Sequence, residues 1–289
     1  MSSRLEMIAS FVTQGRGVAD IGTDHAILPI ILRRRGYKGY IVAGDINEGP
    51  LKKAERGLLE AEIDDVELKL CNGLESIDGS RIDTIVVAGM GGDTITGILD
   101  RGLYDMPEWA DRSDYKLILH PVTKPEILRY WLVNNGFRIS GENYIEDNGI
   151  LCQIICAEPG ESEKYMDSEL YVGKLERIVN QPCFEAVVDK HIKRFKAAVK
   201  GLENASDASL AAWKKLIEKA CGGARGYGRC RCAGKPCRGH LGKHEPRHLG
   251  CQTSFPGVFP GAYDARRAFL ERHRCRHAIE RRLRASLRR

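Results

Sequence analysis

Apolar and polar positions alternate in a way that predicts repeated strand–helix units from about residue 17 to residue 157. Short apolar, β-branched runs are separated by longer stretches with apolar residues at helical spacing, which is typical of a parallel sheet covered by helices. The predicted strands are 17–21, 40–45, 66–71, 84–88, 116–120, 137–142 and 150–157. The predicted helices are 4–13, 26–35, 48–59, 92–101 and 123–135.

The last two predicted strands are joined only by residues 143–149. Such a connection is too short for a helical crossover, so these strands should pair antiparallel. The sequence therefore predicts an α/β fold with a seven-stranded, mostly parallel sheet.

Beyond residue 158 the pattern becomes helical. Apolar residues recur at spacings of three and four, which makes a narrow seam. The seam consists of Phe184, Val188, His191, Phe195, Ala198 and Leu202, and it continues after a turn at 204–207 with Leu210, Trp213, Ile217 and Ala220. We therefore predict a C-terminal helical hairpin at 184–220. His191 is either a ligand or phosphate contact or a packing residue with its polar edge outward.

Composition divides the chain at residue 220. Residues 221–289 contain 15 Arg, 2 Lys and 4 acidic residues, a net charge of +13. Residues 1–220 contain 28 basic and 35 acidic residues, a net charge of −7. The expected organisation is a core at 1–160, a helical appendage at 161–220 and an Arg/Cys/Gly-rich tail at 221–289.

We expect the tail to be disordered and unnecessary for catalysis, because it has no apolar periodicity with which to form a core. Three origins stay open: out-of-frame translation of coding DNA, a basic arm that binds nucleic acid, and a zinc site. The zinc interpretation rests on Cys230, Cys232, Cys237, His240 and His244, whose spacing differs from that of most structural zinc sites.

Residues 1–6 carry an early acidic side chain and no long apolar run, so neither a signal peptide nor a membrane span is predicted there. Four cysteines precede the tail, at positions 71, 152, 156 and 183, and are expected to be plain buried side chains. We expect a soluble cytoplasmic protein, with a monomer slightly favoured.

Candidate ligand-binding residues fall at three successive strand ends. Gly22 follows the first strand, where a residue without Cβ lets the backbone approach a ligand. Asp45 ends the second strand, where an acid can accept both ribose hydroxyls of an adenosine or can cap the next helix. Asn72 follows the third strand and can face an adenine edge.

The first turn has Asp24 and Ile27 where a nicotinamide-binding G-x-G-x-x-G motif has its second and third glycines. Those glycines accommodate a pyrophosphate, which S-adenosyl-L-methionine lacks. The ribose acid, the adenine contact and the polar first loop therefore favour S-adenosyl-L-methionine over NAD.

The fourth strand runs into Ala88-Gly89-Met90-Gly91-Gly92. These glycines either form a smooth floor that admits a flat base or simply make a tight turn into the next helix. The Asn/Asp-Pro-Pro-aromatic motif common in enzymes that methylate an exocyclic adenine amine is absent. A ring nitrogen such as adenine N1 carries an in-plane lone pair and does not need that motif.

Taken together, these segments resemble the bacterial TrmK family, tRNA (adenine(22)-N(1))-methyltransferases. The similarity lies in Val-Ala-Asp-Ile-Gly-Thr-Asp-His-Ala with Leu28-Pro29, in Ile-Asp-Thr-Ile-Val-Val-Ala-Gly-Met-Gly-Gly at 82–92, and in the hairpin sequence at 146–149. It is strong over residues 1 to about 160, weaker to about 220, and absent from the tail.

The resemblance implies a class I, Rossmann-like methyltransferase fold, S-adenosyl-L-methionine as donor and a tRNA D-arm adenine as acceptor. By position, Asp20, Gly22 and His25 would contact the methionine end of the donor, Asp45 the ribose, and Asn72 with Gly73 the adenine. Gly89 is also assigned to the cofactor edge. Asp24 is the candidate catalytic acid, which would stabilise the cationic methylated base and receive an N6 proton. The alternative is that Asp24 only caps the helix beginning at Ala26.

Because the core is acidic, tRNA binding has to rest on local basic patches. The candidates are Arg33, Arg34, Lys190, Lys193, Arg194 and Lys196. Each patch can equally be an ordinary solvated face. Two further functions stay open: methylation of another RNA, a small molecule or a protein, and non-catalytic nucleic-acid binding on a methyltransferase-like core.

Overall fold

The computed structural model describes residues 3–105, 109 and 112–202 of the 289-residue chain. The strands are β1 (Gly17–Ile21), β2 (Tyr40–Asp45), β3 (Glu67–Leu70), β4 (Thr84–Gly91), β5 (Lys116–Thr123), β6 (Phe137–Asp147) and β7 (Ile150–Pro159). The helices are α1 (Ser3–Ser10), α2 (Ile27–Arg34), α3 (Glu48–Glu60), α4 (Gly92–Asp105), α5 (Pro125–Asn134), α6 (Asp167–Val172), α7 (Leu175–Ile178) and α8 (Phe184–Leu202). A 3₁₀ turn at Gly79–Arg81 precedes β4.

The seven strands form one sheet in the order β3-β2-β1-β4-β5-β7-β6. The first five strands along the chain pair in parallel, and β7 pairs antiparallel with both β5 and β6. The predicted fold class is thus confirmed, including the antiparallel pair made by the last two strands.

Helices cover both faces of the sheet. α2 packs against α1 and α3, whereas α4 packs against α5. A buried cluster joins α1 and α2 to the central strands, and its members are Ile8, Ala9, Val18, Leu28, Ile31, Leu32, Tyr37, Ile41, Val86, Ile118, Ile154 and Cys156. Strands that are covered on both faces have continuous apolar sequences, which explains why their positions could be predicted from the sequence.

Several element ends differ from prediction. β4 and β5 continue to Gly91 and Thr123, about three residues beyond the predicted ends, because a bulge carries β4 past its first glycine. α2 begins one residue late because Ala26 has a left-handed backbone, with φ of 50°.

The helical appendage packs on the β6–β7 hairpin. Tyr144, Ile178 and Val187 are buried together, so apolar side chains of β6, α7 and α8 share one small core. α8 begins at residue 184, as predicted, and the second arm of the predicted hairpin lies outside the described residues, as does the tail. No helix in the described part of the chain is both long and apolar enough to cross a membrane.

A fully buried ion pair fixes the appendage to the core. Arg129 Nε on α5 lies 2.6 Å from Glu142 Oε1 on β6, and both side chains are 0% exposed. Arg129 Nη1 also donates to the carbonyls of Leu170 and Tyr171, at 2.8 and 3.1 Å. Glu142 Oε2 accepts from the Lys174 backbone N–H at 2.8 Å. A buried pair that satisfies backbone groups on both sides specifies a single arrangement of the elements that it joins.

The cysteines in the described part of the chain are free thiols. Cys71, Cys152 and Cys156 are buried, as expected, whereas Cys183 is only half-buried. Burial raises the pKa of Cys71 and of Cys156 to about 11, so both are protonated at neutral pH and behave as small apolar side chains.

Candidate active site

The carboxyl ends of β1 to β4 meet at one edge of the sheet. Ile21, near the end of β1, lies beside Gly44 of β2 and Val87 of β4. Asp45 lies beside Leu70 of β3. Neighbouring strands are about 5 Å apart, so the side chains that follow these ends share one small region. The predicted cofactor and catalytic residues that lie at this edge are Asp20, Gly22, Asp24, His25, Asp45, Asn72, Gly73 and Gly89.

The loop after β1 is held against β2 and α3. Gly22, with φ of 80°, and Thr23 both donate backbone hydrogen bonds to the Gly44 carbonyl, at 2.8 and 3.0 Å. His25 then adopts a positive φ of 59°, which costs roughly 1 kcal/mol or more in a residue with a side chain. A Cβ on Gly57 of α3 would lie 2.6 Å from the His25 carbonyl oxygen. The glycine inside α3 therefore makes room for this strained loop, a role that the sequence did not reveal.

Asp24 and His25 project from the loop toward solvent. Asp24 Oδ1 lies 3.6 Å from His25 Nε2, and their side chains are 69% and 51% exposed. The residue that caps α2 is Ala26, and no side chain makes a capping hydrogen bond there. The alternative role of Asp24 as a helix cap therefore finds no support in the structure.

Asp20 is a buried acid near the end of β1, with 6% of its surface exposed. Burial raises the pKa of Asp20 to about 6. A hydrogen bond with the Thr23 hydroxyl acts in the opposite direction and lowers this pKa. Among the described residues no cation forms an ion pair with this carboxyl group. A buried carboxyl group of this kind fits a ligand that brings its own positive charge, such as the ammonium group of S-adenosylmethionine.

Asp45 and Asn72 are half-buried, and each is oriented by a neighbour. Asp45 Oδ1 accepts from the Asn47 backbone N–H at 2.8 Å, and Asn72 Nδ2 donates to Glu75 Oε1 at 3.0 Å. Ile46, next to Asp45, has 61% of its surface exposed. An acid beside an exposed apolar side chain fits a nucleoside, whose ribose is polar and whose base has an apolar face. Sequence reasoning missed Ile46, although an apolar residue directly after a strand-end acid is a usable signal.

The glycines after β3 and in β4 have different roles. Gly73 has φ of 70°, and a Cβ there would lie 3.0 Å from Ile98 of α4. A Cβ on Gly92 would overlap the Lys124 carbonyl, so Gly92 permits close packing of the β4 and β5 ends. Gly89, with φ of 81°, has no atom of the described residues within 4 Å of its Cβ position, apart from Gly89 itself and its two chain neighbours. Gly92 therefore fits the tight-turn interpretation, and the open space at Gly89 is compatible with the floor interpretation, which stays a prediction.

His120, at the same edge, was not singled out from the sequence. It is 1% exposed, and its Nδ1 accepts a hydrogen bond from the Gly89 backbone N–H at 3.1 Å. The signal that could have identified it is a polar residue at the end of an otherwise apolar strand, Lys-Leu-Ile-Leu-His.

The basic residues at the end of α2 lie away from this edge. Because α2 follows β1 and runs back beside the sheet, Arg33 and Arg34 are at the opposite edge. Arg33 is mostly buried: it donates to Asp65 Oδ1 at 2.9 Å and to the Tyr37 and Gly39 carbonyls at 2.8 and 2.9 Å. These contacts give Arg33 a structural role, and tRNA contact by Arg33 or by the exposed Arg34 stays a prediction.

The basic residues of α8 lie nearer to the site. Lys190 and Lys193 are exposed, and Arg194 Nη2 lies 3.1 Å from Glu126 Oε1, in the first turn of α5. The side chain of Lys196 lies outside the described residues. His191 is buried edge-on against Tyr171, with ring centres 6.4 Å apart, and burial lowers the pKa of His191 to about 3. Of the two roles left open, this burial favours packing, although Nδ1 of His191 is buried and is not directed outward as expected.

No group of three or more His, Cys, Asp or Glu side chains in the described ranges is arranged to hold a metal ion. The cysteines and histidines considered for zinc lie in the tail, outside those ranges.

Comparison with known proteins gives consistent similarities. Residues 1–155 match the methyltransferase domain family. The tRNA (adenine(22)-N(1))-methyltransferase of Bacillus subtilis is 30% identical over 168 residues, which are 58% of this chain and 68% of that protein.

Two solved structures align over most of their length. A Streptococcus pneumoniae protein assigned as a tRNA (m1A22) methyltransferase, crystallised with S-adenosyl-L-methionine, is 33% identical with a TM-score of 0.64, covering 76% of this chain and 99% of that one. M. capricolum TrmK, in complex with S-adenosyl-homocysteine, is 25% identical with a TM-score of 0.64, covering 78% of this chain and 97% of that one.

The burial of Asp20 predicts a pH-dependent stability. The pKa of Asp20 is about 6 in the folded protein and near its ordinary 3.8 in the unfolded chain. Between pH 3.8 and about pH 6 the folded protein therefore keeps a proton on Asp20 that the unfolded chain has released. Stability from this group is therefore lost as the pH rises from about 4 to about 6. Asp20→Asn, which resembles the protonated acid, should stabilise the ligand-free protein by roughly 2–3 kcal/mol at pH 8 and hardly at all at pH 4.

Urea denaturation at both pH values measures this difference, with Asp64→Asn at an exposed position as the control. An equal effect of Asp20→Asn at pH 4 and pH 8 would show that Asp20 does not carry the burial cost.

Proposed function

Because this chain belongs to the TrmK family of tRNA (adenine(22)-N(1))-methyltransferases, we propose that the carboxyl edge of β1 to β4 transfers a methyl group from S-adenosyl-L-methionine to N1 of adenine 22 in tRNA. The observation that carries the proposal is the buried Asp20, which has no cationic partner in the described chain, one strand away from Asp45 and the exposed Ile46. These groups complement the charged, polar and apolar parts of the donor.

Asp20, Gly22 and His25 are proposed to hold the methionine end of the donor. A cation beside Asp20 would favour its charged form and offset the burial cost. Gly22 presents backbone without a side chain, and His25 is set in place by the strained loop against α3. The loop is therefore ordered before any ligand binds, which reduces the entropy lost on binding.

Asp45 is proposed to accept hydrogen bonds from the ribose hydroxyls. Its carboxylate is already oriented by the Asn47 N–H, so one oxygen atom is fixed in direction. Ile46 supplies an apolar surface for the adenine ring, and Asn72 with the Gly73 backbone supplies polar contacts to its edge.

When bound, S-adenosyl-L-methionine supplies an electrophilic methyl group on a sulfonium sulfur. The open space at Gly89 is proposed to accept the flat target base, with the in-plane lone pair of N1 directed at the methyl carbon. Methylation at N1 leaves the base positively charged. The exposed Asp24 carboxylate is proposed to stabilise that charge and to accept a proton from N6, which returns the base to neutrality.

The function is tested with the full chain and a tRNA transcript that has adenine at position 22. A methyl group on N1 blocks Watson–Crick pairing, so primer extension should stop at nucleotide 22 only when both protein and donor are present. A transcript with guanine at position 22 is the control and should give no such stop. Methyl transfer to a different nucleotide, or none to tRNA at all, would contradict the proposal.

Substitution of Asp45 and substitution of Asp24 should have different effects on donor binding and on kcat. Asp45→Ala should weaken donor binding by about 1.5–3 kcal/mol, the usual effect of losing hydrogen bonds to a charged group. Asp24→Ala should leave donor binding nearly unchanged and lower kcat, because its contribution belongs to the transition state. Calorimetry with S-adenosyl-homocysteine and single-turnover methylation measure the two effects, and each variant is the control for the other. Equal losses of binding and kcat in Asp24→Ala would return Asp24 to a cofactor-binding role.

α8 is proposed to contact the tRNA backbone near the site. Residues 1–220 carry a net charge of −7, so attraction to RNA has to come from local cations. Lys190, Lys193 and Arg194 lie on one described helix, and Arg194 is held by Glu126 at the start of α5. Because α5 follows β5, its first turn is at the same sheet edge as the active site. Lys196 belongs to the same proposal by its position on α8.

Replacing two of these lysines should change the salt dependence of tRNA binding. Each lost phosphate contact lowers the slope of log K against log salt concentration by about 1. Lys190→Ala with Lys193→Ala should therefore reduce the slope by up to about 2. The matched control is Lys52→Ala with Lys53→Ala on α3, an exposed pair on another helix, which should leave it unchanged. An unchanged slope in the α8 variant would assign these lysines to a solvated face.

A further inference from the structure

The glycine at the open part of the site sits in a β-bulge. In the β4–β5 ladder Ala88 lies opposite His120, and Met90 lies opposite Pro121, so Gly89 is the extra residue between them. The proline opposite this region has no backbone N–H to donate. The bulge therefore interrupts regular pairing at the point where β4 reaches the active-site edge.

A side chain replaces the lost ladder hydrogen bond. The Gly89 N–H donates to His120 Nδ1 at 3.1 Å, so a buried imidazole of β5 fixes the bulge on β4. Gly89 is itself exposed, so this bond anchors an exposed stretch of β4 to a buried side chain of β5. The bond also sets the direction of the peptide unit before Gly89.

The surroundings of His120 keep its ring neutral. Burial, reinforced by the Arg4 guanidinium on α1, lowers the pKa of His120 to about 4, while the Asp147 carboxylate at the tip of β6 opposes the shift. At neutral pH Nδ1 is therefore a hydrogen-bond acceptor, as the geometry requires. Protonation would turn Nδ1 into a donor facing another donor.

The bulge faces open space, whereas the neighbouring glycine is packed. Apart from Gly89 and its two chain neighbours, no described residue has an atom within 4 Å of the Gly89 Cβ position, but a Cβ on Gly92 would overlap the backbone of Lys124. The next residue, Met90, places its methyl group over Gly22 of the first loop. The bulge thus separates a packed region from an open one, and the open side is where the proposed function puts the target base.

We infer that His120 is a positioning residue for methyl transfer: by accepting the Gly89 N–H it holds the β4 bulge in the shape that seats the target base. This inference rests on the proposed function, since the base it positions is the methyl acceptor. Displacements of about 1 Å at a reacting centre can lower a rate on the order of 100-fold, so a bulge that loses its anchor should affect catalysis more than donor binding.

Two substitutions of similar size separate positioning from folding. His120→Asn keeps an acceptor close to the place of Nδ1, whereas His120→Leu removes it. In His120→Leu we expect kcat for tRNA methylation to fall on the order of 100-fold with donor affinity within about 3-fold of wild type. His120→Asn should recover most of that loss. Hydrogen exchange at the Gly89 amide, followed by NMR, should be faster in His120→Leu than in His120→Asn.

Wild-type methylation of the adenine-22 transcript is the first arm of the experiment, and its absence would overturn the proposed function together with this inference. If wild type is active and His120→Leu retains its kcat, the positioning role alone is wrong. Equal loss of kcat, donor affinity and thermal stability in both variants would also overturn it, because His120 would then only support the fold.

Discussion

The reversal of strand order between β1 and β4 is the constraint on which the site depends. The chain moves outward from β1 to β2 and β3, then returns to the other side of β1 at β4. Right-handed crossovers in opposite directions put α2 and α3 on one face and α4 on the other. The loops after β1 and β4 therefore diverge and leave a crevice between them, which is where open α/β sheets bind ligands. The Met90 side chain at the end of β4 lies over Gly22 of the loop after β1, so the two loops stay in contact at this point.

Two buried acidic residues of the core, Glu142 and Asp20, differ in whether the fold provides a cation to compensate them. Glu142 is fully buried, yet Arg129 and the Lys174 N–H satisfy its two oxygens. Removing one partner of such a pair leaves an uncompensated charge, so the pair is explained by the architecture that it joins. Asp20 is buried to a similar degree without a cation from the described chain, and its pKa rises instead. A buried acid that the fold does not compensate is better explained by a ligand than by packing.

The sequence predicted those features that depend on neighbouring residues. Apolar periodicity located all seven strands, and the short connection predicted at 143–149 indicated the antiparallel pair; in the structure β6 runs on to Asp147 and the connection is shorter still. The features that it missed depend on residues that are not neighbours in the sequence. Gly57 leaves room for the His25 carbonyl. Arg129 forms an ion pair with Glu142, and His120 accepts a hydrogen bond from the Gly89 N–H. Arg33 likewise has a partner that the sequence did not reveal, since it donates a hydrogen bond to Asp65, 32 residues further along the chain. Local patterns predict elements, but the partners of polar side chains follow from the tertiary arrangement.

The acidic character of residues 1–220 limits how the protein can recognise a polyanionic substrate. At physiological salt, charges further apart than about 8 Å are largely screened, so the net charge of −7 on residues 1–220 acts mainly on encounter, and local contacts determine affinity. The Arg194–Glu126 pair places cations of α8 beside the start of α5, and the Arg129–Glu142 pair holds α5 against the segment that leads to α8. The buried pair therefore determines where the local cations lie relative to the open space at Gly89. For an acidic core of this kind, the rigidity of the appendage bears on substrate recognition as directly as the lysines do.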